Sequence, residues 1–380
     1  MKIVFNKSDL CYALTPAMCA VSSKNIIPAT SGVLITTEDE STVSITAYDL
    51  EKGVHVVIPA NVIEKGTYVI NANKLNQIVK ALDNDEVEIS VDEKCKTKIT
   101  SGRSEFSLPA LPGNDFPGIP ELSGEKGFTV SQKVFRKMIS RTLFATAQVD
   151  QRPIFCGVYF EIENGNITAV SCDSFRLAYT KQNCKMENII GDGTLDLKFI
   201  VPGKTLIELM KFLDDSDEKK VSIKLGRKHA IFDIDGLVFF TRLLEGQYIE
   251  YNRYIPKDNS IIVNVETSGL ISSLERAALI SEEKSQAKNF VKCNFKDNLL
   301  MISANAVSGN VYDEVVTEKS GDDIEICFTC RYLLEALRVC DVEKIKLSMS
   351  APLRAMVIEP ADGQCEKETF LFVTNPTRMK

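Results

Sequence analysis

The chain has 380 residues, 44% hydrophobic and 26% charged, which is room for two or three domains with real cores and an ordinary globular composition. Its net charge of −7 by itself argues against a nucleic-acid binder, although net charge hides how the charge is distributed. No run approaches the roughly 18 apolar residues of a membrane span, and the start MKIVFNKSDL has no apolar stretch of signal-peptide length, so a cytoplasmic protein is expected.

The chain opens on a strand and an amphipathic helix, KIVFNKSDLCYALTPAMCAV, with the helix expected over residues 6–24. A strand ending in a turn near Asp49 follows (ITAYDLEKG). TYVI then leads into a helix at Asn71–Leu82, and SEFSLPALPGNDFP closes the segment. The order then restarts. GFTVSQKVFRKMISRTLFAT supplies a strand and a helix over 131–148, AVSCDSFRLA a strand ending near Asp173, KFIV and Pro202–Leu213 the next strand and helix, and FFTRLLEGQYIEY the close. A third pass brings IIVNVETSGLISSLERAALI with a helix over 267–281, MISANAVSGN with a turn near Asn305, and IEICF leading into a helix at Thr329–Cys340.

Aligned on Leu75, Leu206 and Leu333, the later helices agree at Val79, Met210 and Leu337, at Lys80, Lys211 and Arg338, and at Gln77, Glu208 and Glu335; Phe106 also matches Phe240 and Gly113 matches Gly246. Agreement in several columns at a spacing of about 130 residues reads as one unit written three times. Apolar residues at helical spacing bury one face of each helix, and polar turns such as Asn164-Gly165-Asn166 separate the strands. The fold expected is α+β, with two helices packed on antiparallel sheets in each of three domains, 1–124, 125–254 and 255–380.

The charge is partitioned. The six expected helices together carry +9, which leaves −16 for the rest of the chain, and no helix is net negative. Lys133, Lys137 and Arg141, at i, i+4 and i+8, form a stripe, while Phe135, Met138, Ile139 and Leu143 fall mainly on the other side. If such faces converge they attract phosphates without reading bases. Asn71, Asn73, Asn76, Gln77, Ser131 and Gln132 thin the charge, as suits movement along a duplex, and the absence of Trp argues against a stacking platform for single strands.

Motifs for chemistry are lacking. Gly203-Lys204-Thr205 ends like a phosphate-binding loop, but position 198 is lysine where that loop needs glycine. His55 and His229 are the only histidines, so histidine acid–base chemistry has little material. Asp214-Asp215 and Asp322-Asp323 read as solvated loops. Cys327 and Cys330 form a CxxC without a second ligand pair, and with the other cysteines they read as buried thiols of a reduced compartment. No metal or cofactor is expected. A hydrolase or carboxylate nuclease on a repeated scaffold, and a repeat adaptor that binds only proteins without encircling DNA, remain the competing readings.

Ser101-Gly102-Arg103-Ser104 with Phe106-Ser107-Leu108, Asp115-Phe116-Pro117, Asp173 with Arg176-Leu177-Ala178, Val201-Pro202 with Ile207-Glu208-Leu209-Met210, Arg276-Ala277-Ala278 and the tail Pro376-Thr377-Arg378 stand in the order and spacing of one family. Over essentially its whole length the chain resembles the bacterial sliding clamps, the β subunits of DNA polymerase III. The resemblance implies a non-catalytic processivity factor: a head-to-tail homodimeric ring of six domains that encircles duplex DNA without sequence preference. It would tether the DNA polymerase III catalytic subunit, the clamp loader and other proteins carrying a short clamp-binding motif.

It also implies where these contacts lie. The peptide groove would take Phe155, Cys172, Ser174, Phe175, Arg176, Leu177, Ile249, Arg253, Tyr254, Tyr332, Leu353 and the tail Val373, Thr374, Asn375, Pro376, Thr377 and Arg378, with the two arginines 176 and 253 fixing polar ends of a peptide. DNA contacts would come from Lys24, Asn73, Lys133, Lys137, Arg141, Gln148, Arg152, Pro153, Ile154 and Lys204. The dimer interface would set Phe106 and Leu108 against Leu279 and Ile280 of the other chain, helped by Lys74 and Arg103. The chain departs from the family at Ser174-Phe175, where a Gly-His pair is usual, and at Asn375 and Thr377, where large apolar residues flank the proline.

Overall fold

The computed structural model describes residues 1–22, 27–191, 193–281, 290–363 and 368–377. Among them are six α-helices: α1 (Lys7–Ala17), α2 (Ala72–Ala81), α3 (Gln132–Leu143), α4 (Gly203–Leu209), α5 (Thr267–Ser281) and α6 (Cys330–Leu337). Each begins where a strand ends, at Asn6, Asn71, Ser131, Pro202, Glu266 and Thr329. Two of the junctions are asparagine caps: the Asn6 side chain accepts from the Ser8 N–H at 2.9 Å and that of Asn71 from the Lys74 N–H at 3.0 Å, each satisfying a donor the helix cannot.

Four helices, α1, α3, α4 and α6, stop short of their expected ends, α3 closing at Leu143 with the Ala145 and Thr146 N–H groups on the Thr142 and Leu143 carbonyls. In α1, Pro16 withdraws a donor from the last turn, and the chain leaves as a 3-10 turn, Met18–Ala20. After α4 and α6 the Phe212 N–H bonds the Leu209 carbonyl and the Cys340 N–H that of Leu337, so the helix ends tighten into i to i+3 turns. The apolar column used to align the repeats is core in every copy: Leu75, Leu206 and Leu333 are all buried. A buried leucine contributes about 1.5–3 kcal/mol of transfer free energy, enough to hold each helix on its sheet.

The backbone divides into two compact units. The first comprises Met1–Lys133, Met186–Gly193 and Ile207–Leu243, and holds one continuous fourteen-stranded antiparallel sheet. The second comprises Val134–Lys185, Thr194–Leu206 and Leu244–Lys380, with a twelve-stranded sheet. Three repeats yield two units because hydrogen-bonded ladders cross from one repeat to the next. In the first unit, strand Leu237–Arg242 pairs with Lys52–Pro59, setting Phe240 opposite Gly53. In the second, Glu368–Thr374 pairs with Arg176–Asn183, setting Val373 opposite Leu177. The middle repeat therefore contributes strands to both sheets.

The same two strands occur once more, each with an edge left over. Ser104–Pro112 is the first repeat's copy of the hairpin strand that makes the join. It pairs with Lys96–Ser101 on one side, and on the other with Thr67–Asn71 only from Ala110 to Pro112. Gly309–Ser320 is the third repeat's copy of the receiving strand. Residues 309–316 pair with Leu299–Ala306, and only 317–320 pair with Ile261–Glu266. Among the described residues, no strand covers the second edge of 104–109 or of 309–316.

Candidate functional site

A groove of about 240 Å³ opens in the second unit. The 3-10 turn Pro153–Cys156 supplies the buried ring of Phe155 as one wall. Cys172 ends one strand and Leu177 lies near the start of the next. Between them Asp173 accepts from the backbone N–H groups of Phe175 and Arg176, both at 3.0 Å, and Ser174 takes a φ of +74°. An aspartate at the head of such a turn fixes it through these two bonds. Ile249, Tyr254, Val373 and Asn375 complete the apolar lining and its rim.

Arg176 lines this groove, but its guanidinium is engaged within the chain. Nε donates to Asp173 Oδ2 at 3.0 Å, Nη1 to Glu335 and Nη2 to the Phe144 carbonyl. Its plane lies 4.4 Å from the Tyr332 ring centroid. It is buried with two acidic partners and an aromatic face, a strut under the turn that presents Ser174 and Phe175. Arg253 pairs with Glu250 and does not line the groove. The expectation that these two arginines hold the polar ends of a ligand is thus replaced by another residue. Arg152, expected on DNA, sits at the groove, stacked 4.1 Å over the Phe155 ring and donating to Ser174 Oγ at 3.0 Å. It also pairs with Asp150 at 3.3 Å, and with its side chain more than half exposed it is the exposed cation on the groove's lining.

The tail is tied down at the two positions where it departs from the family, mostly through the backbone. The Asn375 N–H donates to the Phe175 carbonyl at 3.0 Å and its side-chain amide to the Ser174 carbonyl at 3.3 Å. The Thr377 N–H donates to the Cys327 carbonyl at 2.7 Å. Phe175 is exposed, 6.0 Å from the Tyr332 ring, and Leu353 is exposed as well; neither lines the cavity, nor do Tyr332, Thr374, Pro376 or Thr377. Arg378 lies outside the described residues, as does Lys24.

The basic stripe of α3 is largely neutralised. Lys133 pairs with Asp217 at 2.7 Å, Lys137 with Asp341 and Glu368, each at 2.7 Å, and Arg141 with the same two carboxylates. The side chains are 44%, 29% and 2% exposed in that order. Arg141 also lies 4.5 Å over the Phe370 ring. It is a core residue, contrary to the exposed stripe expected. Burial pushes the carboxyls of Asp341 and Glu368 up, but the hydrogen bonds and charges of Lys137 and Arg141 outweigh it and hold both below the usual carboxylate range. A depressed folded-state pKa gives stability that is present above the unfolded value and is lost as pH falls through the folded one. Replacing Arg141 with Met is therefore expected to lower the melting temperature at pH 7, with the difference from the parent chain shrinking progressively as pH falls below about 4, where the unfolded carboxyls begin to protonate. A constant difference from pH 7 to pH 3 in thermal melts would contradict this.

Asn73, Gln148, Lys204 and Pro153 are exposed, and Ile154 is half-buried against the groove's cluster. Lys74 and Arg103 are exposed. Phe106 is 38% exposed and Leu279 is 80% exposed, large for apolar side chains, while Leu108 and Ile280 are half-buried. A larger cavity, about 970 Å³, lies in the first unit along Cys11, Tyr12, Pro16 and Cys19 of α1 and its following turn, with Glu208 and Lys211 opposite. Burial pushes the Cys19 thiol up to about 12, and Glu208 pairs with Lys211 at 2.7 Å, so neither of these two groups is poised as a nucleophile or a base. Cys327 and Cys330 are buried, and Cys330 Sγ donates to the Leu274 carbonyl.

Comparison with known proteins fits this geometry. Three profiles match in order: the DNA polymerase III beta subunit N-terminal domain over residues 1–120, its central domain over 129–250 and its C-terminal domain over 252–373. The beta sliding clamp of Halalkalibacterium halodurans is 32% identical over 90% of this chain and 91% of its own length; that of Bacillus subtilis is 30% identical over the full length of both. The chain belongs to the DNA polymerase III β-subunit family, the sliding clamps. The crystal structure of the B. subtilis clamp superposes with a TM-score of 0.92 at 28% identity, and that of the Pseudomonas aeruginosa clamp bound to griselimycin with 0.88 at 29%, each covering the whole of both chains. Family members share the α+β domain in three copies found here. Arg152 was the groove residue missed in the sequence; its only signal was a position beside Pro153, the start of the 3-10 turn.

Proposed function

We propose that this clamp closes head-to-tail with a second copy into a ring around duplex DNA, and that it holds the polymerase III catalytic subunit, the clamp loader and other motif-bearing proteins there through the groove at Phe155, Leu177 and Val373. Family membership supports the processivity role, which needs no chemistry from the chain. The observation that carries ring closure is the strand arithmetic. Two of three equivalent joins are made within the chain, and the third leaves one hairpin strand, 104–109, and one receiving strand, 309–316, each with an open edge. Two chains related by a two-fold axis satisfy both edges at once and close. Apolar Phe106 on the first strand and Leu279 near the second, both exposed in the single chain, become the buried centre of that contact.

Domains of 1–124, 125–254 and 255–380 follow, with the profile limits at 120/129 and 250/252 supporting the divisions. DNA contact falls to Lys204, Gln148, Asn73 and Lys24 more than to α3, whose cations are paired. A lining this thin predicts sequence-independent binding with a shallow salt dependence, as few phosphates are neutralised. No helix among the described residues is long and apolar enough to cross a membrane, and a replication role supports a cytoplasmic protein. Light scattering at micromolar concentration is expected to return the mass of two chains; a single-chain mass would refute the ring.

A further inference from the structure

The parts that build the groove occur twice. The 3-10 turn Pro153–Cys156 has its counterpart in Pro28–Ser31, and the turn at Asp173 in one at Asp49. Asp49 accepts from the backbone N–H groups of Glu51 at 3.0 Å and Lys52 at 2.8 Å, as Asp173 does from Phe175 and Arg176. Leu50 takes a φ of +78° where Ser174 takes +74°. Lys52 pairs with Asp49 as Arg176 pairs with Asp173. The register also repeats: Gly53 lies between Tyr48 and Phe240 across its two ladders, and Leu177 between Cys172 and Val373.

Only the side chains differ, and they decide whether a groove exists. In the second unit Cys172, Leu177 and Val373 leave about 240 Å³ open. In the first, the Phe240 ring lies directly on Gly53. A Cβ added to Gly53 would stand 2.1 Å from Phe240 Cζ, so the position tolerates no side chain. Phe240 is fully buried, its ring 5.5 Å from that of Tyr48, in a cluster with Ala29, Phe116 and Ile231. The space open at one join is filled with aromatic carbon at the other.

We propose that Phe240 is a built-in plug: seated on Gly53, it occupies the place that at the second join is open to an apolar side chain of a docked peptide, and so limits each chain to one groove. This rests on the groove being a peptide site. The same packing would close the second join, where Val373→Phe would set its ring on the backbone left bare by Leu177→Gly.

The probe is a fluorescein-labelled hexapeptide ending in leucine, phenylalanine and a free carboxylate, chosen for the apolar walls and for the exposed Arg152 guanidinium. Failure of the parent chain to bind it would remove the groove reading itself. Given binding, the double variant Tyr48→Cys/Phe240→Val, which keeps Gly53 but gives its two cross-strand neighbours the identities found at the second join, is expected to raise the stoichiometry in titration calorimetry from one peptide per chain to two. The reciprocal variant Leu177→Gly/Val373→Phe is expected to lose affinity by roughly tenfold or more while remaining folded, with a single cooperative melt, and dimeric. One site per chain in a folded first variant overturns the proposal, as does undiminished affinity in the second. Should the first variant fail to fold, the second alone decides.

Discussion

Replacing Phe106 and Leu279 with aspartate is expected to turn the proposed two-chain ring into monomers without unfolding the chain. Both side chains are already exposed in the single chain, so the fold should change by no more than about 0.5 kcal/mol. In the ring each becomes a carboxylate taken from water into an apolar contact with no partner. At about 3 kcal/mol for each polar group buried without compensation, one substitution weakens each of the two interfaces roughly 100-fold, and the pair places two such groups in each. Sedimentation velocity across a dilution series reads this directly. A double variant that stays dimeric at nanomolar concentration would mean that the open strand edges at 104–109 and 309–316 do not meet in the assembly.

Arg176 to Ala carries the second large effect, and it separates scaffold from contact. The guanidinium joins Asp173, Glu335 and the Phe144 carbonyl beneath the groove turn, and removing it strands two acidic groups and a carbonyl in a mostly buried place. Breaking a buried pair of this kind costs about 3 kcal/mol. Peptide binding is expected to fall as well, through loss of the turn that carries Ser174 and Phe175. Arg152 to Ala makes the contrast: its side chain is exposed and rim-bound, so binding should weaken with little change in the melting temperature. Chemical denaturation and fluorescence anisotropy on both variants separate the two roles. Equal stability loss in both, or an Arg176 variant as stable as the parent, would show that Arg176 is not the strut.

Much of this architecture was legible in the chain itself because its signals are periodic. The leucine column at 75, 206 and 333 marked buried helix faces, and the matched turns at Asp49 and Asp173 marked equivalent strand ends. What stayed hidden depends on geometry that spacing does not carry. The stripe Lys133, Lys137, Arg141 steps four residues at a time on a helix of 3.6 per turn, so it rotates about 40° at each step. Over two steps it winds from solvent toward the sheet, and the exposures of 44%, 29% and 2% record that rotation. The acidic partners lie far along the chain, at 341 and 368, and only tertiary structure brings them to α3. The groove was legible as a set of apolar residues and two arginines, but which arginine faces a ligand follows from hydrogen bonds. Nor does a glycine at 53 and a phenylalanine at 240 announce a plug until the ladder sets them face to face.

The central claim is that three copies of one unit close, with a second chain, around DNA. It is tested most directly by loading the labelled protein with its clamp loader onto nicked circular DNA, isolating the complex by gel filtration, and then cutting half of it once with a restriction enzyme. A ring held by topology stays with the circle and slides off the linear product even at a salt concentration that abolishes ordinary contacts. Equal retention on both, or equal loss from both, would contradict the account.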